Sequence, residues 1–491
     1  MIFMFHKITK LAMLMLFLLN VVECSATDAV CEEGNNNHSN DPIINVPYVP
    51  EISGSSRHRD LCRFINEQWV CHNWAGTIYW HPHSVFIPNN EDELSGFLSS
   101  NEHQFKIIGH AHSWSSLFVP PPNGVNVIIN RLSGIVEIGP DYVDTMAGGS
   151  FTDLHRELDD AGMALAWFSG GIQGLSIGGA VSVGFHGSQL SLGSISTVIS
   201  YIELFDTDGV RHILDIKKNQ SAMSAARLGV GVCGVITRVR LPIRPQFYLR
   251  RSRWRRDNIS SFFTETWWSN HDLFHYYIHP YTQTAWPMIW EYISKEESLR
   301  DNRPCRLALE QIEDSNEKEF GVDGLPLIMR WDNCSDVSYK AYTHAIDMDA
   351  QFIWNGEYFL PLMTPHDEYL IVRHFLEFIF KDASIDWWIH MRYMKGDNQT
   401  LVSPCYGWRA CVGIELALVA STMGGGLPQK DEWLKHFLPF EQYMLAKGGR
   451  PHHAKYHTQK QYNNTDITPE FIEICGMFDR RKLLKTTITY Y

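Results

Sequence analysis

Short apolar runs alternate with amphipathic stretches through the first half of the chain. The β-branched pair Ile107–Ile108, followed by a glycine, predicts the end of a buried strand. Upstream, Asn90 precedes acidic residues and then Leu94 and Leu98 at helical spacing, which predicts a capped amphipathic helix. This alternation over residues 74–242 favours an α+β domain.

Two pairs of apolar runs in this half flank polar turns. The runs 125–130 and 135–138 predict a strand, a turn and a second strand. The runs 199–205 and 211–214 flank the sequence Asp-Thr-Asp-Gly, which favours a β-hairpin. Both pairs fit the short strands of an α+β domain.

The pattern changes in the second half of the chain. A run at 357–361 predicts a strand, and Pro365 begins a helix whose apolar positions recur at i, i+3, i+4 and i+7. Two further runs, 386–394 and 411–420, predict strands. This order over 350–420 predicts a second domain, in which helices cover one face of a sheet.

Composition identifies an ordinary globular protein and excludes some partners. With 491 residues, the chain is too long for one hydrophobic core, so two or three domains are expected. A net charge of −13 argues against nucleic acid as the main partner. Eight arginines at 238–256 could form a nucleic-acid or heparin patch, but the acidic whole favours a solvated strand face.

The N-terminus predicts entry into the secretory pathway. Lys7 and Lys10 precede the apolar run 11–22, and small residues follow, so residues 1–26 are expected to be a signal peptide. The alternative is an uncleaved anchor that associates the protein with a membrane, although the run is short for a bilayer-spanning helix. The expected location is the endoplasmic reticulum lumen or membrane, or the outside of the cell.

Glycosylation and disulfide formation are expected in that pathway. The Asn-x-Ser/Thr triplets are those at Asn37, Asn219, Asn258, Asn333, Asn398 and Asn463. Of the ten cysteines, Cys24 would leave with the signal peptide, and the odd number that remains cannot pair completely. The nearest pairs, which the sequence alone does not assign, are Cys62 with Cys71 and Cys405 with Cys411.

Four segments rich in glycine and histidine carry the candidate chemistry. They are Ile107–Ser115, Leu175–Gly187, Leu228–Ile236 and Gly449–Lys455. The first can hold a pyrophosphate, since consecutive N–H groups in a glycine turn after a strand form an anion-binding concavity. The third contains Gly-x-Gly-x-x-Gly, but an alternating strand pattern follows it instead of a helix, so no nicotinamide site is predicted.

Together these segments resemble flavoproteins of the vanillyl-alcohol-oxidase type, and most closely the L-gulono-1,4-lactone oxidase (aldonolactone oxidase) family. The resemblance runs from about Asn73 to the C-terminus. It rests on the Gly-x-x-His-Ser loop, the Gly-Gly-Ala-x-Ser-x-Gly-x-His-Gly patch, the run Leu401–Cys405 and the Pro-His-x-x-Lys end. It implies an α+β fold with a two-part FAD-binding domain of the PCMH type and an α+β substrate cap domain.

The resemblance also implies a division of the chain. The expected parts are the signal peptide 1–26, a flexible lead-in 27–73, the FAD-binding domain 74–242, the cap domain 243–440, and a segment 441–491 that returns to the FAD domain. Cys233 stands where relatives usually carry Leu, and this exchange is expected to alter only local packing.

Bound FAD is the cofactor that the resemblance implies. His112 takes the position of the histidine that bonds covalently to the flavin 8α-methyl group, and only its motif position distinguishes it from His110. The alternative is flavin held without a covalent bond. The implied cofactor-binding residues are Gly109, His110, Ala111, His112, Ser113, Gly178, Gly179, Ser182, His186, Gly187, Gly234, Ile236 and Lys455.

The resemblance assigns Lys455, Arg392 and His390 to catalysis. Lys455 would stabilise the anionic reduced flavin ring. The family's substrate strand usually carries Glu-x-Arg, and here His390 takes the Glu position while Arg392 is kept. A neutral imidazole can accept a hydrogen bond from a substrate hydroxyl, whereas the alternative is that His390 is a solvated strand residue. His453 replaces a family Trp, which would reshape the pocket wall, and Gly149 stands near the position that gates oxygen, which favours an oxidase.

The implied function is oxidation of an aldonolactone at a hydroxyl-bearing carbon. Hydride would pass to flavin N5, dioxygen would become hydrogen peroxide, and the product would be of the ascorbate type. Arg392 and His390 would orient the substrate and assist removal of the hydroxyl proton. The alternatives are an FAD oxidase of another polyol or sugar, and a secreted flavin-binding glycoprotein without catalysis. No metal site is predicted, because the cluster of His452, His453 and His457 lies within a flavin motif.

Overall fold

The computed structural model describes nine stretches of the chain, all within one unit, Ile43–Tyr491. The described residues are 61–168, 174–254, 271–279, 283–305, 333–342, 353–381, 388–419, 430–459 and 468–484. The predicted signal peptide lies outside them, as do a second unit, Met1–Pro42, and the triplets at Asn37, Asn258 and Asn463. No helix within the described stretches is long and apolar enough to cross a membrane.

A small antiparallel sheet begins the described chain. Its strands are β1 (Cys62–Ile65), β2 (Gln68–His72) and β3 (Tyr79–Trp80). The first two strands lie within 27–73, the segment expected to be a flexible lead-in. A disulfide joins Cys62 to Cys71 across them, so pairing and a cross-link order residues for which composition predicted no element.

A parallel sheet carries the strand that leads into the first glycine-rich loop. Its strands, in the order β4-β6-β5, are β4 (Ser84–Phe86), β5 (Phe105–Ile108) and β6 (Val125–Ile128). Helix α1 (Glu91–Ser100) separates β4 from β5 along the chain and buries Leu94 and Leu98. The Asn90 side chain accepts a hydrogen bond from the Glu93 N–H at 2.8 Å. The predicted helix and strand end are both confirmed.

Six strands form an antiparallel sheet in the same half of the chain. They are β7 (Ile135–Ile138), β8 (Tyr142–Met146), β9 (Met163–Leu165), β10 (Tyr201–Phe205), β11 (Arg211–Asp215) and β12 (Val235–Pro245). The order is β11-β10-β12-β8-β7, with β9 paired to β12. Pairing of β10 with β11 confirms the predicted hairpin. Because β12 follows the third glycine-rich segment directly, that segment does not lead into a helix.

The two runs at 125–130 and 135–138 both form strands, but these strands belong to different sheets. Strand β6 is buried at every position and lies between two parallel neighbours, whereas β7 is a largely exposed edge of the antiparallel sheet. A buried parallel strand is apolar throughout, while an edge strand can carry exposed positions. Strands β6 and β7 are neighbours in sequence, but they lie in different sheets because their burial differs.

Four short helices and part of the C-terminal segment pack with these sheets. The helices are α2 (Phe151–Asp160), α3 (Ile177–Val183), α4 (Ile195–Val198) and α5 (Gln220–Ala226). One apolar cluster joins Leu204 and Val235 to Phe471 and Phe478, which come more than 200 residues later. The Phe105 N–H also donates to the Leu483 carbonyl at 2.9 Å, so the end of the chain contributes to the first core.

An eight-stranded antiparallel sheet dominates the second half. Its strands are β13 (Tyr248–Arg253), β14 (Phe274–His279), β15 (Thr284–Ile293), β16 (Cys334–Val337), β17 (Ile353–Leu362), β18 (Trp388–Lys395), β19 (Ala410–Val419) and β20 (Arg450–Pro451). Their order is β16-β13-β15-β14-β18-β19-β17-β20. The remaining helices are α6 (Lys295–Asp301), α7 (Ser338–Tyr342), α8 (Pro365–Lys381), α9 (Lys430–Ala446) and α10 (Pro469–Phe478).

Side chains alternate between the two faces of this sheet. On β18, Ile389, Met391 and Tyr393 belong to an apolar cluster that includes Phe375 of α8 and Phe437 of α9. The predicted arrangement, with helices on one face of a sheet, is confirmed. The intervening residues of β18 point to the other face, since successive strand residues alternate.

Four disulfides connect the described cysteines, and one of them corrects an expectation. They are Cys62–Cys71, Cys405–Cys411, Cys305–Cys334 and Cys233–Cys475. Both nearest pairs are therefore present. Cys233 does more than alter local packing, because its bond to Cys475 ties the third glycine-rich segment to helix α10. The sequence could not show this, since the partners lie 242 residues apart.

The arginine-rich stretch is only in part a solvated face. Arg238 lies 3.2 Å from Glu203, and the Arg240 Nε donates to the Asp144 Oδ1 at 2.7 Å. Arg251 is buried, with 1% of its surface exposed, so the solvated interpretation is wrong at that position. Acids from neighbouring strands therefore pair with Arg238 and Arg240.

Candidate active site

The loop after β5 comes very close to the start of helix α3. A Cβ on Gly109 would overlap the Cβ and Oγ of Ser176, so only glycine fits there. Ala111 adopts a φ of 52°, in the left-handed region that side chains disfavour. The first two glycine-rich segments of the sequence are therefore brought together by the fold, and their contact requires Gly109.

The His112 ring is held by stacking and is neutral. It lies 4.7 Å from the Trp74 ring at an interplanar angle of 18°. Its Nδ1 is buried and has no hydrogen-bond partner among the described residues. Burial, reinforced by His110 and Lys455, lowers the pKa of His112 to about 3. A neutral imidazole with an unengaged nitrogen is the form in which histidine acts as a nucleophile.

His110 and Ser113 are engaged in holding the loop. The His110 Nδ1 lies 2.7 Å from the Gly174 carbonyl oxygen, and the Ser113 Oγ donates to the Ala454 carbonyl at 3.1 Å. The Asn73 side chain also donates to the Ser113 carbonyl at 3.0 Å. Of the two histidines, the geometry therefore leaves His112 with the available Nδ1.

Helix α3 offers a ligand its backbone at the glycines more than it offers side-chain hydroxyl groups. A Cβ on Gly178 would stand 2.8 Å from the Ala147 Cβ, whereas Gly179 is exposed at the helix start. The Ser182 Oγ donates to the Gly178 carbonyl at 2.8 Å within its own helix. The one hydroxyl proton of Ser182 is therefore engaged within its own helix.

The C-terminal motif is fastened to the loop after β5. The Trp114 N–H donates to the Ala454 carbonyl at 2.7 Å, and the Ser115 Oγ donates to the His453 carbonyl at 2.7 Å. Strand β20 holds the other end of the motif by pairing with β17. As a result the Lys455 Nζ lies 4.3 Å from the centre of the Trp114 ring, within range of a cation–π interaction.

Two rows of residues cross neighbouring strands on the polar face of the eight-stranded sheet. The first row runs Tyr277, His390, Glu415 and Glu357, on β14, β18, β19 and β17. The second row, two residues along each strand, runs His275, Arg392, Gly413 and Phe359. Since residues two apart on a strand share a face, both rows lie on the side opposite the helices.

Arg392 is the centre of a buried ion-pair network. Its Nη2 donates to both oxygens of Glu357 at 2.8 Å and lies 2.9 Å from the Glu415 Oε2. Burial opposes the charge of Arg392, but the two carboxylates outweigh burial and raise its pKa. Burial likewise opposes the charge of Glu357, yet Arg392 and His186 hold the pKa of that carboxyl below its usual range.

His390 is buried, so its interpretation as a solvated strand residue is wrong. Its Nδ1 lies 3.2 Å from the Glu415 Oε2, and its Nε2 lies 2.9 Å from the His275 Nδ1. The Tyr277 ring stacks on it with centroids 4.1 Å apart. Burial lowers the pKa of His390 to about 4, although Glu415 works in the opposite direction, and the ring is neutral at physiological pH.

Glu415 receives hydrogen bonds and charge from four directions. Besides His390 and Arg392, the Lys455 Nζ lies 3.3 Å from its Oε1, and the Asn355 Nδ2 donates to the same oxygen. Burial alone would raise the pKa of Glu415, but Lys455, Arg392 and His390 hold it well below the usual range. The carboxylate is therefore ionised and lies between the sheet and the C-terminal motif.

His186 connects helix α3's segment to this network. Its carbonyl accepts a hydrogen bond from the Arg392 Nη1 at 3.1 Å, and its Nδ1 lies 2.9 Å from the Gly187 carbonyl oxygen. Its Nε2 is 3.3 Å from the Glu357 Oε1, an ion-pair distance without hydrogen-bond geometry. His186, which the resemblance implies as a cofactor contact, thus lies where the segment after helix α3 meets the polar face.

Gly234 and Ile236 serve the core of the first half. Gly234 has a φ of 77°, and a Cβ there would stand 2.9 Å from the Phe205 carbonyl oxygen. Ile236 is buried in the same apolar cluster as Leu204. Gly234 lies in the turn before β12, and Ile236 lies within that strand.

His453 and Gly149 are the two remaining positions that the sequence singled out. The His453 Nε2 donates to the Val402 carbonyl at 2.7 Å, so this ring is directed at the backbone of the 401–405 run. A Cβ on Gly149 would find its nearest neighbour, the Met146 carbonyl oxygen, at 3.5 Å. An alanine would therefore fit at Gly149 in ordinary contact.

Sequence reasoning missed Glu415, Glu357, His275 and Asn355. Each is a buried polar residue in a strand with apolar neighbours, and a polar residue at such a position is the signal that could have found them. Gly413 belongs with them, because a Cβ at that position would stand 2.6 Å from the Glu357 Oε1.

The site fits an FAD cofactor. The glycines at 109 and 178 keep two backbone segments close, His112 leaves a buried nitrogen unpartnered, and Lys455 places a cation beside the same loop. Backbone cradles and a nearby cation are what a dinucleotide with an anionic reduced ring requires.

A metal ion is less compatible with the polar face. His186, Glu357 and His452 each bring one ligand atom within 4.8 Å of the others, which is a spacing that a metal ion could use. However, Arg392 donates to both oxygens of Glu357, so a cation there would stand against a guanidinium. The charge balance favours the ion pair.

The comparisons with known proteins support FAD as the cofactor. A family profile described as an FAD binding domain matches residues 82–215. Mouse L-gulonolactone oxidase is 23% identical over 435 residues, which cover 83% of this chain and 94% of that protein. The D-arabinono-1,4-lactone oxidase of Eremothecium gossypii is 28% identical over 253 residues, which cover 49% of this chain and 46% of that protein.

A solved structure shares the fold. Cholesterol oxidase from B. sterolicum has a TM-score of 0.66 at 14% identity, covering 85% of this chain and 95% of that one. The α+β fold with an FAD-binding domain and a second domain is thereby confirmed, and the alternative without catalysis is set aside because the relatives are oxidases. The chain is an FAD-dependent oxidoreductase, and its sequence is similar to those of aldonolactone oxidases.

Proposed function

We propose that this protein oxidises an aldonolactone such as L-gulono-1,4-lactone, giving an ascorbate-type product and hydrogen peroxide. The position of Lys455 carries the proposal. Its Nζ lies 4.3 Å from the Trp114 ring in the flavin loop and 3.3 Å from Glu415 on the polar face. A substrate bound to that face would therefore lie beside the loop that carries His112.

FAD, when bound, supplies the redox chemistry by accepting a hydride from the hydroxyl-bearing carbon and passing two electrons to dioxygen. Residues 109–113 and 178–187 would hold it. Arg392 is ionised and buried, so it can orient an oxygen-rich lactone without competition from water. The cation of Lys455 would stabilise negative charge that develops beside the loop.

A covalent bond between His112 and the flavin is part of this proposal. The neutral ring, its unpartnered Nδ1 and its stacking on Trp74 support such a bond. The His110 Nδ1, in contrast, is engaged with the Gly174 carbonyl oxygen. The motif position and the local geometry therefore favour the same histidine.

Dioxygen is the proposed electron acceptor, and the secretory pathway is the proposed location. The small residue Gly149 leaves space of about one methyl group near the start of helix α3, which supports access for a small acceptor. The asparagines of the described triplets, Asn219, Asn333 and Asn398, are exposed, as glycosylation requires. Four disulfides also suit an oxidising compartment.

The test is peroxide formation by the full chain, expressed through a secretory host and purified with its flavin. A panel of aldonolactones, alditols and free sugars would be assayed for hydrogen peroxide and for the oxidised product. We expect L-gulono-1,4-lactone or a close aldonolactone to be oxidised fastest. Preference for an alditol would replace the lactone by a polyol, and turnover of no member by a protein that retains flavin would overturn the proposal.

A further inference from the structure

The family's substrate strand usually carries Glu-x-Arg, and this chain has lost the glutamate from that strand. His390 stands in its place on β18, two residues before Arg392. The residue directly opposite His390 on the neighbouring strand β19 is Glu415. A carboxylate has therefore not been lost from the polar face but stands one strand further along it.

The contacts of Glu415 resemble those a substrate-facing carboxylate would need. Its Oε2 lies 2.9 Å from the Arg392 Nη2, so it keeps the pairing of carboxylate and guanidinium on one face. Its other oxygen lies 3.3 Å from the Lys455 Nζ, the group that also contacts the flavin loop. The alternative carboxylate, Glu357, is completely buried, whereas 8% of the surface of Glu415 is exposed.

The hydrogen bonds of His390 define its part in this arrangement. An ionised carboxylate only accepts hydrogen bonds, so the His390 Nδ1 must carry the proton shared with Glu415. In a neutral ring the Nε2 then accepts, so the His275 Nδ1 must donate to it. Both nitrogens of His390 are thereby engaged, and neither is left for a substrate hydroxyl.

We propose that Glu415 is the carboxylate that accepts hydrogen bonds from the substrate hydroxyls, and that His390 and His275 are positioning residues that hold it. This inference rests on the proposed function. In this chain the carboxylate lies on β19 and the imidazole lies opposite it on β18.

The contact with Lys455 is where a substrate can enter. At 3.3 Å it is longer than the 2.7–2.9 Å usual for a charge-assisted bond, so it is the looser of the two ion pairs made by Glu415. A substrate hydroxyl placed there can accept from the Lys455 ammonium and donate to the Glu415 Oε1. That geometry puts the hydroxyl on the side of the sheet nearest the flavin loop.

The first test is Glu415→Gln in the flavin-loaded full chain, assayed with the panel member that the wild type oxidises fastest. We expect kcat/KM to fall about 100-fold while the bound-flavin absorbance is unchanged, because the variant keeps the shape but loses the charged acceptor. Glu441→Gln is the matched control. That carboxyl is also buried, but it binds Thr458 and Tyr358, and Tyr358 lies on the helix-covered face of the sheet.

The second test exchanges the pair. Glu415→His alone should be nearly inactive, whereas His390→Glu combined with Glu415→His should recover at least about 10-fold in kcat/KM, because it restores the family arrangement on β18. His390→Gln keeps Glu415 but loosens it, so a positioning role predicts a raised KM with kcat changed less than about threefold.

The outcomes separate this inference from the function on which it rests. If the wild type is active and Glu415→Gln has the same kcat/KM, the assignment of Glu415 is overturned. The proposed oxidase function is then unaffected. If Glu415→Gln fails to load flavin, an exchange variant that loads flavin but is no better than Glu415→His would overturn it instead. A wild type that oxidises alditols but not lactones would remove the lactone and leave the Glu415 test in force. A wild type that oxidises nothing would remove both.

Discussion

On one side of Lys455 the site consists of backbone from a single loop, and on the other it consists of side chains from four strands. The loop depends on glycine at 109 and on a left-handed Ala111, both within a few residues of β5. The polar face depends on register, since His390 and Glu415 are neighbours only because β18 pairs with β19. A functional residue of the loop must therefore stay at its position in the sequence. On the polar face, in contrast, a neighbouring strand can supply the same functional group.

Loss of the flavin bond is the largest effect that we predict, and it tests the loop side. His112→Ala should release all flavin into the supernatant when the protein is precipitated with acid, whereas wild-type protein should keep its yellow colour in the pellet. The reason is that the variant lacks the histidine that makes the proposed covalent bond to the flavin. His110→Ala is the control and should keep the colour with the protein. Release from wild-type protein would refute the covalent bond.

The next effect tests the polar face. Arg392→Met leaves Glu357 buried with its main partner removed, so we expect a loss of about 3–5 kcal/mol in the free energy of unfolding and at least about 100-fold in kcat/KM. Denaturant titration and steady-state kinetics measure these. Arg373→Met removes an exposed pair with Glu377 and should change stability by less than about 1 kcal/mol. Equal losses in both variants would contradict the network.

A smaller effect sharpens the contrast with the loop. Gly109→Ala should destabilise the protein by about 1–3 kcal/mol and weaken flavin loading, because the new methyl group overlaps Ser176. Adding Ser176→Gly should restore part of the loss. Gly96→Ala is the control, since nothing lies within 4 Å of a Cβ there and the helix α1 should gain about 0.5–1 kcal/mol. An unchanged flavin content in Gly109→Ala would argue against the close contact between Gly109 and Ser176.

The smallest effect is a pH dependence of stability. Burial lowers the pKa of His453 to about 4, and burial with His453 lowers that of His457 to about 3, from an ordinary 6.5. The unfolded chain therefore binds protons below about pH 6.5 while the folded protein does not, so unfolding takes up protons and stability falls as pH decreases towards 4. Each histidine contributes at most about 1.4 kcal/mol per pH unit. His453→Gln should reduce this slope in denaturation at pH 7 and pH 5, and an unchanged slope would contradict its burial as a neutral ring.

The loop and several elements could be predicted from sequence because their determinants are local. Helix α1, the hairpin of β10 and β11, and the loop with His112 each follow from spacing within about fifteen residues. The sheet with helices on one face followed from the apolar runs at 357–361, 386–394 and 411–420 and from the apolar stripe on α8. In all of these, the residues that decide the structure are close along the chain.

The rest depends on contacts between distant residues. Glu415 is 25 residues from His390 and could not be recognised as its neighbour without the register of the two strands. The bond from Cys233 to Cys475 and the separation of β6 from β7 into different sheets are of the same kind. Periodicity predicts which face a side chain takes, but it does not predict which strand lies alongside.

The most direct test of the central claim is anaerobic reduction of the bound flavin by L-gulono-1,4-lactone. The account predicts that the visible absorption of the purified wild-type protein bleaches when the lactone is added without oxygen. Admission of air should restore the colour and release one hydrogen peroxide per flavin. A flavin that remains oxidised in the presence of saturating lactone, in a protein that is folded and fully loaded, would contradict the claim that the polar face presents this substrate to the cofactor.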